Sequence, residues 1–172
     1  MKNFIMLMLL LSTLGCTTQT RYTQQSTEID IVKSNISNYV NGEWDAYAAN
    51  YANGATIFFN TKEENPSSIQ ETIAGQKLSL EPFSSYSLEG GEDEFEMVVT
   101  DGGETWVNFW GVWKGTLTAN GKTFEMPVHL THHFVDGKIV KTFGYWNSAP
   151  IQLELLKMEE AAAEMDEVET PE

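Results

Sequence analysis

EFEMVVTDGGETWVNFWGVWKGTLTANGKTFEMPVHLTHHFVDGKIVKTFGYWN, residues 94–147, is punctuated by Asp101-Gly102-Gly103, Asn120-Gly121 and Asp136-Gly137. Asn-Gly and Asp-Gly tolerate the positive φ angles of short hairpin loops, so the stretch reads as three hairpins chained end to end. Pairing Ala119 with Lys122 places Leu117 opposite Phe124, Gly115 opposite Met126, Trp113 opposite Val128, Gly111 opposite Leu130, Phe109 opposite His132 and Val107 opposite Phe134. Pairing Thr100 with Glu104 adds Phe95, Met97 and Val99, and pairing Val135 with Lys138 adds Ile139, Phe143 and Tyr145. Side chains alternate along a strand, so the register decides the face of every residue. The three turns agree on one apolar face, which predicts a curved antiparallel sheet with one buried side.

Working outward from this meander, the upstream chain is helical. Thr27 is expected to cap a first helix with Ile29, Val32, Ile36, Tyr39 and Val40 along one stripe, stopped by Asn41-Gly42. Trp44, Tyr47, Ala48 and Tyr51 recur at helical spacing and predict a second helix ending at Asn53-Gly54. Ala55 to Asn60 reads as a strand, Ser67 to about Leu80 as a helix, Phe83 to Glu89 as a strand, and Ile151 onward as a closing helix. Helices ahead of a strand meander give an α+β fold in which helices cover the concave face of the sheet.

Val40-Asn41-Gly42-Glu43-Trp44-Asp45, the long strand pair, and His132-His133-Phe134-Val135-Asp136-Gly137-Lys138-Ile139 followed by Tyr145-Trp146-Asn147 occur in that order. In this the chain resembles the nuclear transport factor 2-like superfamily, and within it the SnoaL-like branch of cone-shaped domains, over residues 28–157. The resemblance implies a pocket between the concave sheet and the helices, and dimers formed through sheet surfaces. In the cyclases and isomerases of that branch a pocket aspartate near the end of the last strand moves a proton beside a carbonyl. Asn147 stands at that place here, and an amide cannot exchange protons at useful pH. The sequence therefore leans away from an enzyme.

On the expected inner face the polar exceptions are His132, Lys141 and Asn147, with His132 facing Lys141. Beside an ammonium in an apolar cavity, His132 is the candidate catalytic residue, a neutral base or proton shuttle, with Lys141 or Tyr145 polarising a carbonyl. The bland reading makes His132 a buried structural histidine and Lys141 a snorkelling one. Asp45, at a helix start, reads as a favourable charge at the positive end of the dipole. Trp44, Tyr47, Phe109, Trp113, His132, Lys141, Tyr145 and Asn147 form the expected ligand-binding set, with Gly111 and Gly115 leaving space; aromatic walls with a few polar groups suit a small hydrophobic or aromatic molecule, and equally a filled core. Trp106, Trp110 and Trp146 fall on the outer face, where a homodimer would cover them; a bulge displacing the register is the alternative. No metal site is expected. His132 and His133 point to opposite faces, and His129 and His133 lie ~13 Å apart at ~3.3 Å per residue. No cofactor motif is present, with neither a glycine-rich phosphate loop nor a serine nucleophile elbow.

The chain carries 25 acidic and 10 basic residues, a net charge of −15, which repels phosphate backbones and excludes nucleic acid as a partner. Residues 1–15 read as an export signal: Lys2, then the apolar run Phe4 to Leu11 with Leu14, too short to span a bilayer. Gly15-Cys16 resembles the acylation site of bacterial lipoproteins, although Thr13 and Leu14 depart from that pattern; the alternatives are an ordinary secretory peptide with a free thiol, or a short membrane anchor. Cys16 is the expected lipidation site, residues 16–27 a flexible tether, and residues 158–172 an acidic tail. The expectation is a lipoprotein of the bacterial cell envelope, held to a membrane by acylated Cys16 and facing the periplasm or exterior. Its domain would bind a small hydrophobic molecule; the alternatives are a cyclase or isomerase, and a scaffold that recruits another protein.

Overall fold

The computed structural model describes residues 21–169, with side chains to residue 165. The expected export signal and Cys16 lie outside the described residues. In chain order the elements are β1 (Tyr22–Thr23), α1 (Thr27–Asn41), α2 (Trp44–Ala49), β2 (Tyr51–Phe59), α3 (Ile69–Leu80), β3 (Phe83–Glu89), β4 (Phe95–Val99), β5 (Thr105–Leu117), β6 (Thr123–Val135), β7 (Lys138–Trp146) and α4 (Ala149–Glu169). The sheet runs β1-β4-β5-β6-β7-β2, and β3 pairs with the second half of β5. Every pairing is antiparallel except β2 with β7. This is the expected α+β layout of a curved sheet under helices.

The helices start and stop for local reasons. Ser26, one residue before the expected cap, accepts the Ile29 N–H at 3.2 Å, and Gly42 ends α1 at φ 69°. Ser68 and Glu71 close a reciprocal capping box at the start of α3. Helix α2 is shorter than expected, because Tyr51 already pairs with Ile139, whose N–H bonds the Asn50 carbonyl at 3.1 Å. Residues of the expected tether also join the fold. Tyr22 and Thr23 pair with Val98 and Met97, and Arg21 bonds the Val99 carbonyl at 3.3 Å, so the ordered domain begins ahead of residue 28.

The three hairpins fare differently. Between β4 and β5 the register is the expected one, with Phe95 opposite Phe109 and Met97 opposite Val107. Between β5 and β6 it slides by two residues: Val107 faces His132, Phe109 faces Leu130, Gly111 faces Val128 and Trp113 faces Met126. The cause is the turn. Gly121, at φ 69°, donates to the Leu117 carbonyl at 3.0 Å and Leu117 donates to Lys122 at 2.9 Å, so the loop spans Thr118 to Lys122 instead of two residues. A slide of two preserves every face.

Between β6 and β7 the faces change. Val135 pairs with Lys138 and Phe134 with Ile139 as expected, but the register then shifts, and His133 meets Lys141 while His132 meets Thr142. This bulge at Val140 reverses the rest of β7. Lys141, Phe143 and Tyr145 turn outward; Thr142, Gly144 and Trp146 turn inward.

The inner face is filled from two centres. Ile29, Val32, Ile57, Val107, Phe109 and Ile139 form one, and Leu80, Trp113, Met126, Val128 and Ile151 the other. The space that Gly111 and Gly115 were expected to leave open is occupied along the strand itself. A Cβ on Gly111 would lie 2.3 Å from Phe109 Cζ and 2.7 Å from the Glu89 carbonyl oxygen; one on Gly115 would lie 2.1 Å from the Trp113 ring. Each aromatic ring lies across the glycine two residues ahead.

Candidate functional site

Between the helices and the inner face of the sheet lies a cavity of about 170 Å³. Its walls are Leu80, Phe83, Trp113, Met126, Val128, Leu130 and Trp146, with Ile151 from the first turn of α4. Ser79 and Gln152 are exposed lining residues, which places the mouth between α3 and α4. Asn35, Tyr47, Gln76 and His132 supply polar groups at the buried end. Among the described residues, no Asp, Glu, Lys or Arg lines the cavity.

His132 is 1% exposed, and its Nδ1 lies 2.8 Å from Thr142 Oγ1. Its Nε2 and Gln76 Oε1 are buried, and neither has a hydrogen-bond partner among the described residues. Burial pushes the imidazole pKa down to about 3, the His129 side chain adding a smaller push, so the ring is neutral at ordinary pH. Tyr51 accepts from Asn35 Nδ2 at 3.3 Å, and its hydroxyl lies 3.3 Å from that of Tyr47. Asn50 Nδ2 donates to Asn35 Oδ1 at 3.1 Å. Burial raises the pKa of both phenols. Tyr39 is pushed up to about 12, mainly by burial, although Trp113 Nε1–H donates to its oxygen at 3.0 Å. The site is thus built from groups held in their uncharged forms.

Of the expected ligand-binding residues, Tyr47, Trp113 and His132 line this cavity. Trp44 stands one layer back, edge-on to Tyr39 and Tyr47 at 6.0 and 6.1 Å. Phe109 is fully enclosed in the core behind the wall. The bulge removes Lys141 and Tyr145. Lys141 Nζ sits over the outward rings of Phe58 and Phe143, 3.5 Å from Glu63, and Tyr145 is half exposed outside. Asn147 is exposed beyond the end of β7, where its Oδ1 accepts the Ala149 N–H at 3.1 Å at the start of α4. The expected pairing of His132 with Lys141 is therefore replaced by His132 with Thr142. Asp45 lies exposed in the first turn of α2, where the helix dipole favours it.

The expected interface residues divide as well. Trp106 stacks on His133 at 4.7 Å and Trp110 on His129 at 4.9 Å, both on the outer face. Trp146 is on the cavity side, packed against Phe59 at 5.0 Å. Asn35 escaped the sequence reading although a polar residue within the apolar stripe of Val32, Ile36 and Tyr39 was the signal for it. Gln76 carries no such signal.

No protein-family model and no curated protein matches the chain. Solved structures do. PrhC from Penicillium brasilianum superposes with a TM-score of 0.64 at 13% identity, over 82% of this chain and 93% of that one. IdmH from Streptomyces antibioticus, provisionally named a polyketide cyclase, gives 0.60 at 16% identity, over 76% of this chain and 99% of that one. A protein of ketosteroid isomerase-like fold from Catenulispora acidiphila, solved with trimethylamine, gives 0.53 at 10% identity, over 67% and 84% of the two chains. The likeness is one of fold: this chain has the nuclear transport factor 2-like cone of the SnoaL-like proteins.

Proposed function

We propose that the protein is a binding domain for a small, neutral, largely apolar molecule, tethered to the bacterial envelope through acylated Cys16 and paired with a second copy through its outer sheet face. The observation that carries the ligand reading is the cavity: aromatic and aliphatic walls, no charged residue among the described residues that line it, and a few polar lining residues, Asn35, Tyr47, Gln76 and His132. Sites of this composition recognise neutral ligands, because an ion would lose its hydration without gaining a counter-charge. An imidazole with a pKa near 3 is a poor proton acceptor near neutrality, and Asn147 stands outside the cavity, so binding is favoured over acid–base catalysis. Stacked Trp106 and the 41%-exposed Trp110 support pairing of the outer faces.

Native mass spectrometry of the full chain, extracted in mild detergent from the cells that make it, tests all three parts. The expected spectrum is a dimer with a small retained molecule, in which residues 1–15 are gone and Cys16 carries acyl chains. Leu130→Trp, which fills the cavity, should lose the molecule and keep the dimer and acyl masses. A wild-type protein that carries nothing, or a Leu130→Trp variant that carries the same molecule, contradicts the ligand reading. A monomer, or an unmodified Cys16, contradicts the corresponding part alone.

A further inference from the structure

Helix α4 supplies one side of the cavity mouth, and its hold on the domain is light. Ser148, Ile151 and Gln152, at the start of the helix, line the cavity. Ile151 is buried with Leu80, Trp113, Met126 and Val128, and Leu155, one turn on, packs against the same group. The next attachment is polar. Glu154 accepts from Lys122 Nζ at 2.6 Å and from Asn120 Nδ2 at 3.0 Å, both in the turn between β5 and β6, and Asn120 Nδ2 also lies 3.5 Å from Met158 Sδ. Residues 159–165 are exposed, as are Leu153 and Leu156, so the helix can swing outward without giving up packing on that side. The strand before it is fixed: the Trp146 N–H donates to Asn60 Oδ1 at 3.1 Å, and Asn147 and Ser148 alone separate β7 from α4. At 1.5 Å per residue Gln152 stands ~6 Å from Ser148, so a swing of about 30° about this link moves it ~3 Å, close to the thickness of an aromatic ring.

We infer that α4 is a hinged flap at the mouth of the cavity, latched to the β5–β6 turn by Glu154, and that release of this latch lets the ligand in and out. The inference rests on the ligand-site reading above and adds the route to it. Glu154 is not one of the described residues that line the cavity, so it is a positioning residue that sets the rate of exchange and leaves the affinity alone. A flap that covers the empty and the filled cavity alike slows entry and exit by the same factor. The Lys122 side chain is half exposed, which makes the ion pair weak and sensitive to salt. The latch is therefore one that thermal motion opens readily.

The test uses the full chain in detergent with acetophenone as the probe, its entry and exit rates read from relaxation dispersion of the Met126, Val128 and Leu130 methyl groups. Glu154→Ala should raise both rates by about 3- to 5-fold and leave the dissociation constant within about 2-fold. In the unsubstituted protein both rates should rise about 3-fold between about 20 and about 500 mM sodium chloride, and in Glu154→Ala they should not. Glu92→Ala, which removes the ion pair with Lys33 on α1, is the control and should change neither rate. Unchanged rates in Glu154→Ala overturn the flap and leave the ligand site standing. A faster exit with unchanged entry overturns it as well, because Glu154 would then support the wall of the site. A probe that does not bind contradicts the site itself, and the flap with it. If Glu154→Ala does not fold, Lys122→Gln and the salt dependence of the unsubstituted protein decide.

Discussion

Lowering the pH from about 6.5 is expected to destabilise the fold by about 1.4 kcal/mol per unit through His132 alone. The unfolded imidazole takes up a proton near pH 6.5, whereas the folded one resists until about 3. The unfolded state therefore binds more protons through this interval, and stability falls as pH falls, levelling off only below about 3 at a cumulative loss of about 5 kcal/mol. Glu71, Glu89 and Glu154 also favour the native state when ionised, because hydrogen bonds from Ser68, Ser87 and Lys122 respectively lower their pKa values. Their contribution is lost only as pH drops below the ordinary carboxylate range. The interval from about 6.5 to 4.5 thus isolates the histidine. Urea unfolding of the protein and of His132→Leu at pH 7, 6 and 5 checks this. The wild-type slope should flatten in the variant; an equal slope in both would mean that His132 accepts its proton without opening the core.

Gly111→Ala is expected to cost at least about 3 kcal/mol, at the upper end of what overpacking a core costs. The added methyl would meet the Phe109 ring at 2.3 Å and the backbone oxygen of Glu89 at 2.7 Å. The ring cannot retreat, since Phe109 is fully buried and packs on Phe95 at 4.7 Å between centroids. The carbonyl belongs to β3, which pairs with β5 through Glu89 opposite Val112, so relief requires separating two strands. Gly103→Ala is the useful contrast, because nothing lies within 4 Å of its Cβ and only its φ of 84° is strained. That change should cost about 1–2 kcal/mol. Thermal melts of the two variants, compared at equal protein concentration, should rank them in this order. The reverse order would mean that β3 moves away from β5 easily.

The layout of the fold was legible because it depends on periodicity and turn chemistry. The β4–β5 hairpin has its expected register, and β3 has its expected bounds of Phe83 to Glu89. Even the five-residue loop around Asn120-Gly121 left the faces of β6 unchanged, because it displaced the register by an even number. The site was less legible, and one residue accounts for much of the difference. Val140 adds an odd step to β7, so the turn at Asp136-Gly137 was read correctly while Lys141, Tyr145 and Trp146 landed on the wrong sides. Nothing in the local sequence marks that bulge; it satisfies Ile139 and Thr142, both fully buried, which alternation from Lys138 would have placed on opposite faces. Asn35 is a buried polar group whose partners, Tyr51 and Asn50, are distant in sequence, and helical periodicity alone cannot say which polar residues are buried with a partner.

The central claim is that the cavity beneath α3 and α4 is a site for neutral molecules. Its most direct test is a set of intermolecular nuclear Overhauser effects between acetophenone and the full chain in detergent, with the Met126, Val128 and Leu130 methyl groups labelled. The account predicts contacts from the probe to all three residues, which line the cavity side by side on β6. Contacts confined to the outer-face residues around Trp106 and Trp110, or none at all, would contradict it.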